Sequence, residues 1–170
     1  MMCAHRDFVV RVVLSPFAED RFSQYLEEEA KRYSEEIASA GYVDGDKALD
    51  KAREDIARLL PRGLSTPGHH FYEVIDEVNG ARIGTVWLKI DTEPRRSAFL
   101  YAIHLEREFR GRGYGRATME KVEEVAVSLG AEAIFLHVFA SNEVAVRLYR
   151  SRGFAVRSMN MGKELRGGKG

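Results

Sequence analysis

The sequence predicts an α/β protein built as one domain, with a mixed sheet covered by helices on both faces. Three observations predict it. Strand-like apolar runs alternate with amphipathic helical runs in the order β, α, α, hairpin, β, α, β, α, β, without internal repeats. An Asn79-Gly80 pair separates two adjacent strand-like runs, the strongest short hairpin signal. A glycine-rich stretch, Arg110-Gly111-Arg112-Gly113-Tyr114-Gly115-Arg116, joins a strand-like run at 99–105 to a helical run at 117–129.

Taken in order, residues 8–14 are rich in Val and read as a first strand. Ser15-Pro16 suits a helix start, with Ser as N-cap and Pro at the first helical position. Phe22, Tyr25, Leu26, Ala30, Tyr33 and Ile37 recur at helical spacing, so 18–39 reads as an amphipathic helix ended by Gly41. Its other face carries Glu27, Glu28, Glu29, Glu35 and Glu36. That face is either simply solvated or an acidic lip over a cationic substrate. A second helix fits 46–60, and the Pro- and Gly-containing stretch 61–68 reads as a loop closed by His69 and His70. These adjacent histidines lack metal-ligand spacing, so no metal site is expected.

The hairpin strands fall at 71–78 and 81–91. Asn79-Gly80 suggests a type I′ turn, in which both central residues take positive φ. Gly84, inside the second strand, points to a bulge or a close backbone approach. After a turn at Glu93-Pro94-Arg95-Arg96, the strand 97–105 feeds the glycine loop. The helix beyond it buries Met119, Val122, Ala126 and Leu129 and stops at Gly130. Residues 133–139 alternate as a strand, with Phe135, His137 and Phe139 on one face. Ser141-Asn142 caps a short helix that Gly153 ends, residues 154–165 give a last strand or strand pair, and 166–170 form a frayed tail.

Composition narrows the functional class. A chain of 170 residues buries a core without staples, and 45% hydrophobic with 31% charged residues is ordinary for a globular protein. Lys+Arg and Asp+Glu balance at 26 each, so bulk charge gives no argument for nucleic acid or membrane partners. A single cysteine, Cys3, rules out an internal disulfide and fits a reducing compartment. No signal-peptide core or spanning apolar run occurs, so a cytoplasmic protein is expected.

The glycine loop carries the chemistry. Glycines between strand and helix let backbone N–H groups approach a ligand, and the helix that follows adds unpaired donors and the positive end of its dipole. That makes a phosphate cradle, to which Arg110, Arg112 and Arg116 can add charge. A solvated Gly-Arg turn is the plainer alternative. The dinucleotide fingerprint fails in both registers, because Arg116 or Thr118 stands where its third glycine belongs, and no P-loop pattern occurs.

Two spaced motifs make the resemblance specific. Arg110-x-x-Gly113-x-Gly115 resembles the acetyl-CoA loop of the GNAT superfamily of N-acetyltransferases. Asn142-x-x-Ala145-x-x-Leu148-Tyr149-x-x-x-Gly153-Phe154 is similar to its second signature. The run from Leu136 to Asn142 is also similar to that of ribosomal-protein N-terminal acetyltransferases, except that His137 stands where they carry a glutamate.

The resemblance implies a mixed, mostly antiparallel sheet in which two parallel central strands splay apart. It implies acetyl-CoA as cosubstrate, held by Arg110–Arg116 and Asn142, with a backbone N–H near Leu105 polarising the thioester carbonyl. Tyr149 matches the acid that protonates the departing thiolate. His137 is the candidate base, or else an imidazole packed between Phe135 and Phe139. The acceptor is an amine: a small polyamine or drug, a free amino acid, or a protein N-terminus or lysine. A CoA-binding module without catalysis and a nucleotide-binding regulatory domain are the alternatives. Homodimers are common in the superfamily, and the sequence leaves that open.

Overall fold

The computed structural model describes residues 10–163 and 165. Cys3, the first residues of the expected opening strand, and the expected tail at 166–170 lie outside these. The strands β1 (Val12–Pro16), β2 (His69–Asp76), β3 (Arg82–Asp91), β4 (Ser97–Leu105) and β5 (Ala133–Leu136) form one five-stranded sheet in chain order. β1 to β4 run antiparallel, and β5 joins β4 in parallel. The helices α1 (Phe22–Ser39) and α2 (Gly45–Leu59) cover one face; α3 (Tyr114–Ser128) and α4 (Glu143–Ser151) pack on the other.

Strand alternation builds the two cores. Val74, Ile83, Val86, Leu88, Ala98 and Leu100 meet Met119, Val122 and Ala126 of α3. Phe71 and Trp87 meet Phe22, Tyr25 and Ala30 of α1, with Ala52 and Ile56 of α2. Burying each such large apolar side chain contributes about 1.5–3 kcal/mol. Gly41, Gly130 and Gly153 end α1, α3 and α4 at φ +73°, +89° and +88°. In each case the next N–H reaches back to the last helical turn, as in Tyr42 N–H to Ile37 O at 3.0 Å.

Gly84 is a close-approach glycine: a Cβ there would lie 2.1 Å from His104 O. The ladder between β2 and β3 also shifts register beside it, at Val74/Ile75.

Several elements depart from the sequence reading. Ser15 and Pro16 end β1 rather than start α1, which follows a 3-10 turn at Glu19–Arg21. Pro16 is tolerated there because β1 is an edge strand. His69 and His70 open β2 instead of closing a loop, since both pair with β3. The hairpin turn is not type I′, because no residue other than glycine takes a positive φ among the described residues. Instead Asp76 N–H donates to Ala81 O and Gly80 N–H to Asp76 O, each at 2.8 Å, and the Asp76 carboxylate caps Val78 N–H at 3.0 Å.

β5 stops at Leu136, short of the expected 139. The register from β3 to β4 skips Tyr101, with Trp87 opposite Ala102 and Leu88 opposite Leu100. That bulge bends β4 away just where its parallel pairing with β5 ends, at Leu100↔Leu136. No final strand forms among the described residues after α4, and 155–163 are exposed. Their apolar alternation slips between Val156 and Met159, so neither face of a strand there would stay apolar.

Candidate active site

The bulge at Tyr101 opens a cleft between β4 and β5. Glu106 N–H donates to Ile83 O at 2.8 Å, which fixes which β4 groups face β3. By strand alternation, the N–H and C=O groups of Ile103 and Leu105 face the opposite edge, into the cleft. Arg110 Nε donates to Leu105 O at 2.8 Å and folds the loop back on the strand end. A 3-10 turn at Arg107–Phe109 links the two.

α3 begins inside the glycine motif, at Tyr114, earlier than the expected 117. Gly113 is its N-cap at φ +91°, and Gly111 also lies in the left-handed region at +69°. The first backbone bond onto the cap runs from Ala117 N–H to Gly113 O at 3.1 Å. The N–H groups of Tyr114, Gly115 and Arg116 precede it and stand outside the ladder. A Cβ at Gly111 would meet nothing within 4 Å, so the loop surface there is open. Arg110, Arg112 and Arg116 are all exposed around it. Free donors, a helix dipole and three cations fit a diphosphate. Gly115 serves packing as well: its Cβ would come within 3.3 Å of Leu148 on α4.

Tyr114 is the loop residue whose side chain does something else, since its hydroxyl bonds to buried Asp76 at 2.9 Å. Asn142 caps α4, its Oδ1 accepting from Ala145 N–H at 3.2 Å. Tyr149, on α4, is 8% exposed. Burial, then the charge of Glu36, pushes its phenol up to about 12. His137 lies just beyond β5, exposed, edge-on to Phe139 with centroids 4.9 Å apart. Tyr149 and His137 line the same cavity of about 1200 Å³, together with Phe135, Phe139 and Tyr42. None of Arg110–Arg116 and no residue of β4 borders that cavity, which runs along β5 between α3, α4 and residues 155–162.

Charged side chains of α1, whose acidic face the sequence leaves open between solvation and a lip, act on groups beside the cleft. His104 of β4 is pushed down to about 4 by burial, then by the Arg32 and Arg110 guanidiniums, against the opposing charge of Glu28. Arg32 bonds Glu29 at 2.9 Å, and the Glu29 side chain is only 13% exposed. Arg32 and Glu28 thus act by charge on β4 and Glu36 on α4, while Glu27 pairs with Arg53 of α2 at 2.8 Å. Glu28, Glu29, Arg32 and Glu36 follow helical spacing, a signal available in the sequence once the covered face is known.

A mixed sheet with a parallel splay beside a glycine-capped helix agrees with the architecture that the sequence resemblance implies. The model of the Acetyltransferase (GNAT) family matches residues 23–154, and the chain belongs to that family. The uncharacterized N-acetyltransferase YdgE of Bacillus subtilis (strain 168) is 31% identical over 89% of this chain and 97% of its own length. YycN from the same organism is 34% identical over 91% of this chain and 99% of its own. The crystal structure of YycN superposes with a TM-score of 0.87 at 32% identity, covering 92% of this chain and 99% of that one. The structure of AAC(6')-Iy with a CoA bisubstrate analogue, 16% identical, covers 92% of this chain and 99% of its own with a TM-score of 0.57 and shares the fold. No helix among the described residues is long and apolar enough to cross a membrane.

Proposed function

We propose that the protein transfers an acetyl group from acetyl-CoA directly to a primary amine. One observation carries the reading: β4 and β5 part after Leu100↔Leu136, and the glycine loop with the open N-terminus of α3 stands at the end of β4. In this reading the N–H groups of Tyr114–Arg116 and the guanidiniums of Arg110, Arg112 and Arg116 hold the diphosphate. The outward backbone groups of Ile103 and Leu105 pair with the pantetheine arm, and Leu105 N–H polarises the thioester carbonyl. Asn142 holds the start of α4, and so Tyr149, against the cofactor arm.

The amine nitrogen attacks the carbonyl carbon, the new C–N bond forms and the C–S bond breaks. His137 takes the proton that the nitrogen loses, and its exposure lets it pass that proton to water. Tyr149 donates to the departing sulfur. A phenol held near 12 keeps its proton throughout the neutral range. The lone cysteine, Cys3, supports a reducing, cytoplasmic setting and plays no part as a nucleophile.

Release of free CoA thiol, measured with acetyl-CoA against a panel of polyamines, amino acids and peptides, tests the reading. Amine-dependent release by at least one class is the expected result. Tight CoA binding with no turnover across the panel would make the protein a binding module instead.

A further inference from the structure

The side chain of Tyr114 turns away from the cradle that its own N–H helps to form. Its ring is 8% exposed, and its hydroxyl donates to Asp76 Oδ2 at 2.9 Å. Asp76 closes β2 and is itself 2% exposed. Its other oxygen, Oδ1, already caps Val78 N–H in the hairpin turn at 3.0 Å. One buried carboxylate thus ties the β2–β3 hairpin to the first residue of α3.

The phenol ring is also where the loop is gathered. Phe109, ahead of the glycines, meets it edge-on at 5.3 Å. Arg112, among the glycines, places its guanidinium 5.9 Å over the ring. Thr118, fully buried one turn later, donates to Tyr114 O at 2.8 Å. Residues before and within the loop thus pack on this one side chain, and a buried hydroxyl one turn later holds the backbone carbonyl of the same residue.

We propose that Tyr114 is a positioning residue for acetyl-CoA: its bond to Asp76 fixes the first turn of α3 against the sheet. The donors of Tyr114, Gly115 and Arg116 then converge on one diphosphate position before the ligand arrives. A cradle set in advance avoids the ordering cost that a mobile loop would add to binding. The proposal rests on the reading of the loop as the acetyl-CoA cradle.

Two probes test it: CoA, which carries the diphosphate, and S-acetylpantetheine, which carries the thioester arm without it. Tyr114→Phe is expected to raise the calorimetric Kd for CoA about 10-fold, or about 1.4 kcal/mol. Its affinity for S-acetylpantetheine, followed by NMR titration, should stay at the wild-type value. Asp76→Ala should behave like Tyr114→Phe. Asp76→Asn, which keeps the Val78 cap and can bond the phenol oxygen through its amide, should restore most of the CoA affinity. An unchanged CoA Kd in Tyr114→Phe, or an equal loss for both probes, would overturn the positioning role. Wild-type protein that binds S-acetylpantetheine but not CoA would overturn the cradle reading itself, and this role with it.

Discussion

The Trp87 indole N–H donates to His69 Nδ1 across 2.8 Å in the buried layer under α1. Tyr101 stacks on Trp87 at 4.6 Å, and His69 lies 5.7 Å from both rings. An imidazole that accepts at Nδ1 is neutral, since both nitrogens of the cation are donors. Burial, then the charge of Lys89, lowers the His69 pKa. A folded pKa below the unfolded value means that the stabilisation is complete above about pH 6.5 and is lost as pH falls through the folded value. Trp87 is the only tryptophan, so its emission reports the bond directly. Its emission should hold steady at neutral pH and shift in acid, before global unfolding. The shift should vanish in His69→Gln, whose amide oxygen can still accept. Emission that is flat in acid up to the unfolding transition would reject the coupling.

His104 extends the same sign to the cleft. Its pKa of about 4 makes the unfolded chain the better proton binder between about pH 6.5 and about 4. Stability should therefore fall with pH across that window. The wild-type denaturant midpoint should drop relative to that of His104→Gln as pH falls from about 6.5 to about 4, and the two should run parallel above about pH 6.5. Parallel curves throughout would show that His104 titrates normally.

Gly113→Asp should weaken acetyl-CoA binding by at least 10-fold, about 1.4 kcal/mol. It places a negative charge at the start of α3 where the diphosphate is proposed to sit. Gly113 also holds φ +91°, so any side chain there is strained, by about 1–2 kcal/mol. Calorimetric titration separates the effects when melting temperatures are measured alongside. A modest drop in melting temperature with unchanged affinity would remove the diphosphate from this loop.

Tyr149→Phe should lower kcat by about 10²-fold and leave the Kd for acetyl-CoA nearly unchanged, the usual scale for lost proton donation. If His137 takes the amine proton, His137→Ala should remove the acidic limb of the kcat/KM profile. A profile of the same shape and height would leave ordered water as the acceptor.

Glu36 is the α1 carboxylate that acts on Tyr149 by charge. Glu36→Lys is expected to raise the amine KM several-fold with the acetyl-CoA KM unaltered, whereas Glu35→Lys, whose carboxylate does not act on Tyr149, should do neither. Equal small effects at both positions would return the whole acidic face to solvation.

What could be read from the sequence follows from the range of the forces involved. Helix ends fixed by Gly41, Gly130 and Gly153, the cap at Asn142 and the strand Ser97–Leu105 depend on neighbours in the chain and came through. The type I′ expectation at Asn79-Gly80 failed because Asp76 captures the turn's N–H groups, Val78 on its buried carboxylate and Gly80 on its backbone carbonyl. The early stop of β5 depends on a bulge at Tyr101, on a different strand. Tyr114 is expected from the motif to border the cofactor, and its side chain answers to a partner 38 positions away. No local pattern encodes such a pairing.

The strands lie in the sheet in the order in which they occur in the chain. On a ribosome, each strand after β1 would emerge with its neighbour already made. β4, the glycine loop and α3 would be complete before β5 appears, so the cradle side of the cleft could dock early. Synthesis from the N-terminus thus never leaves a gap in the middle of the sheet to be filled by a later strand, and insertion between paired strands is not needed at any stage.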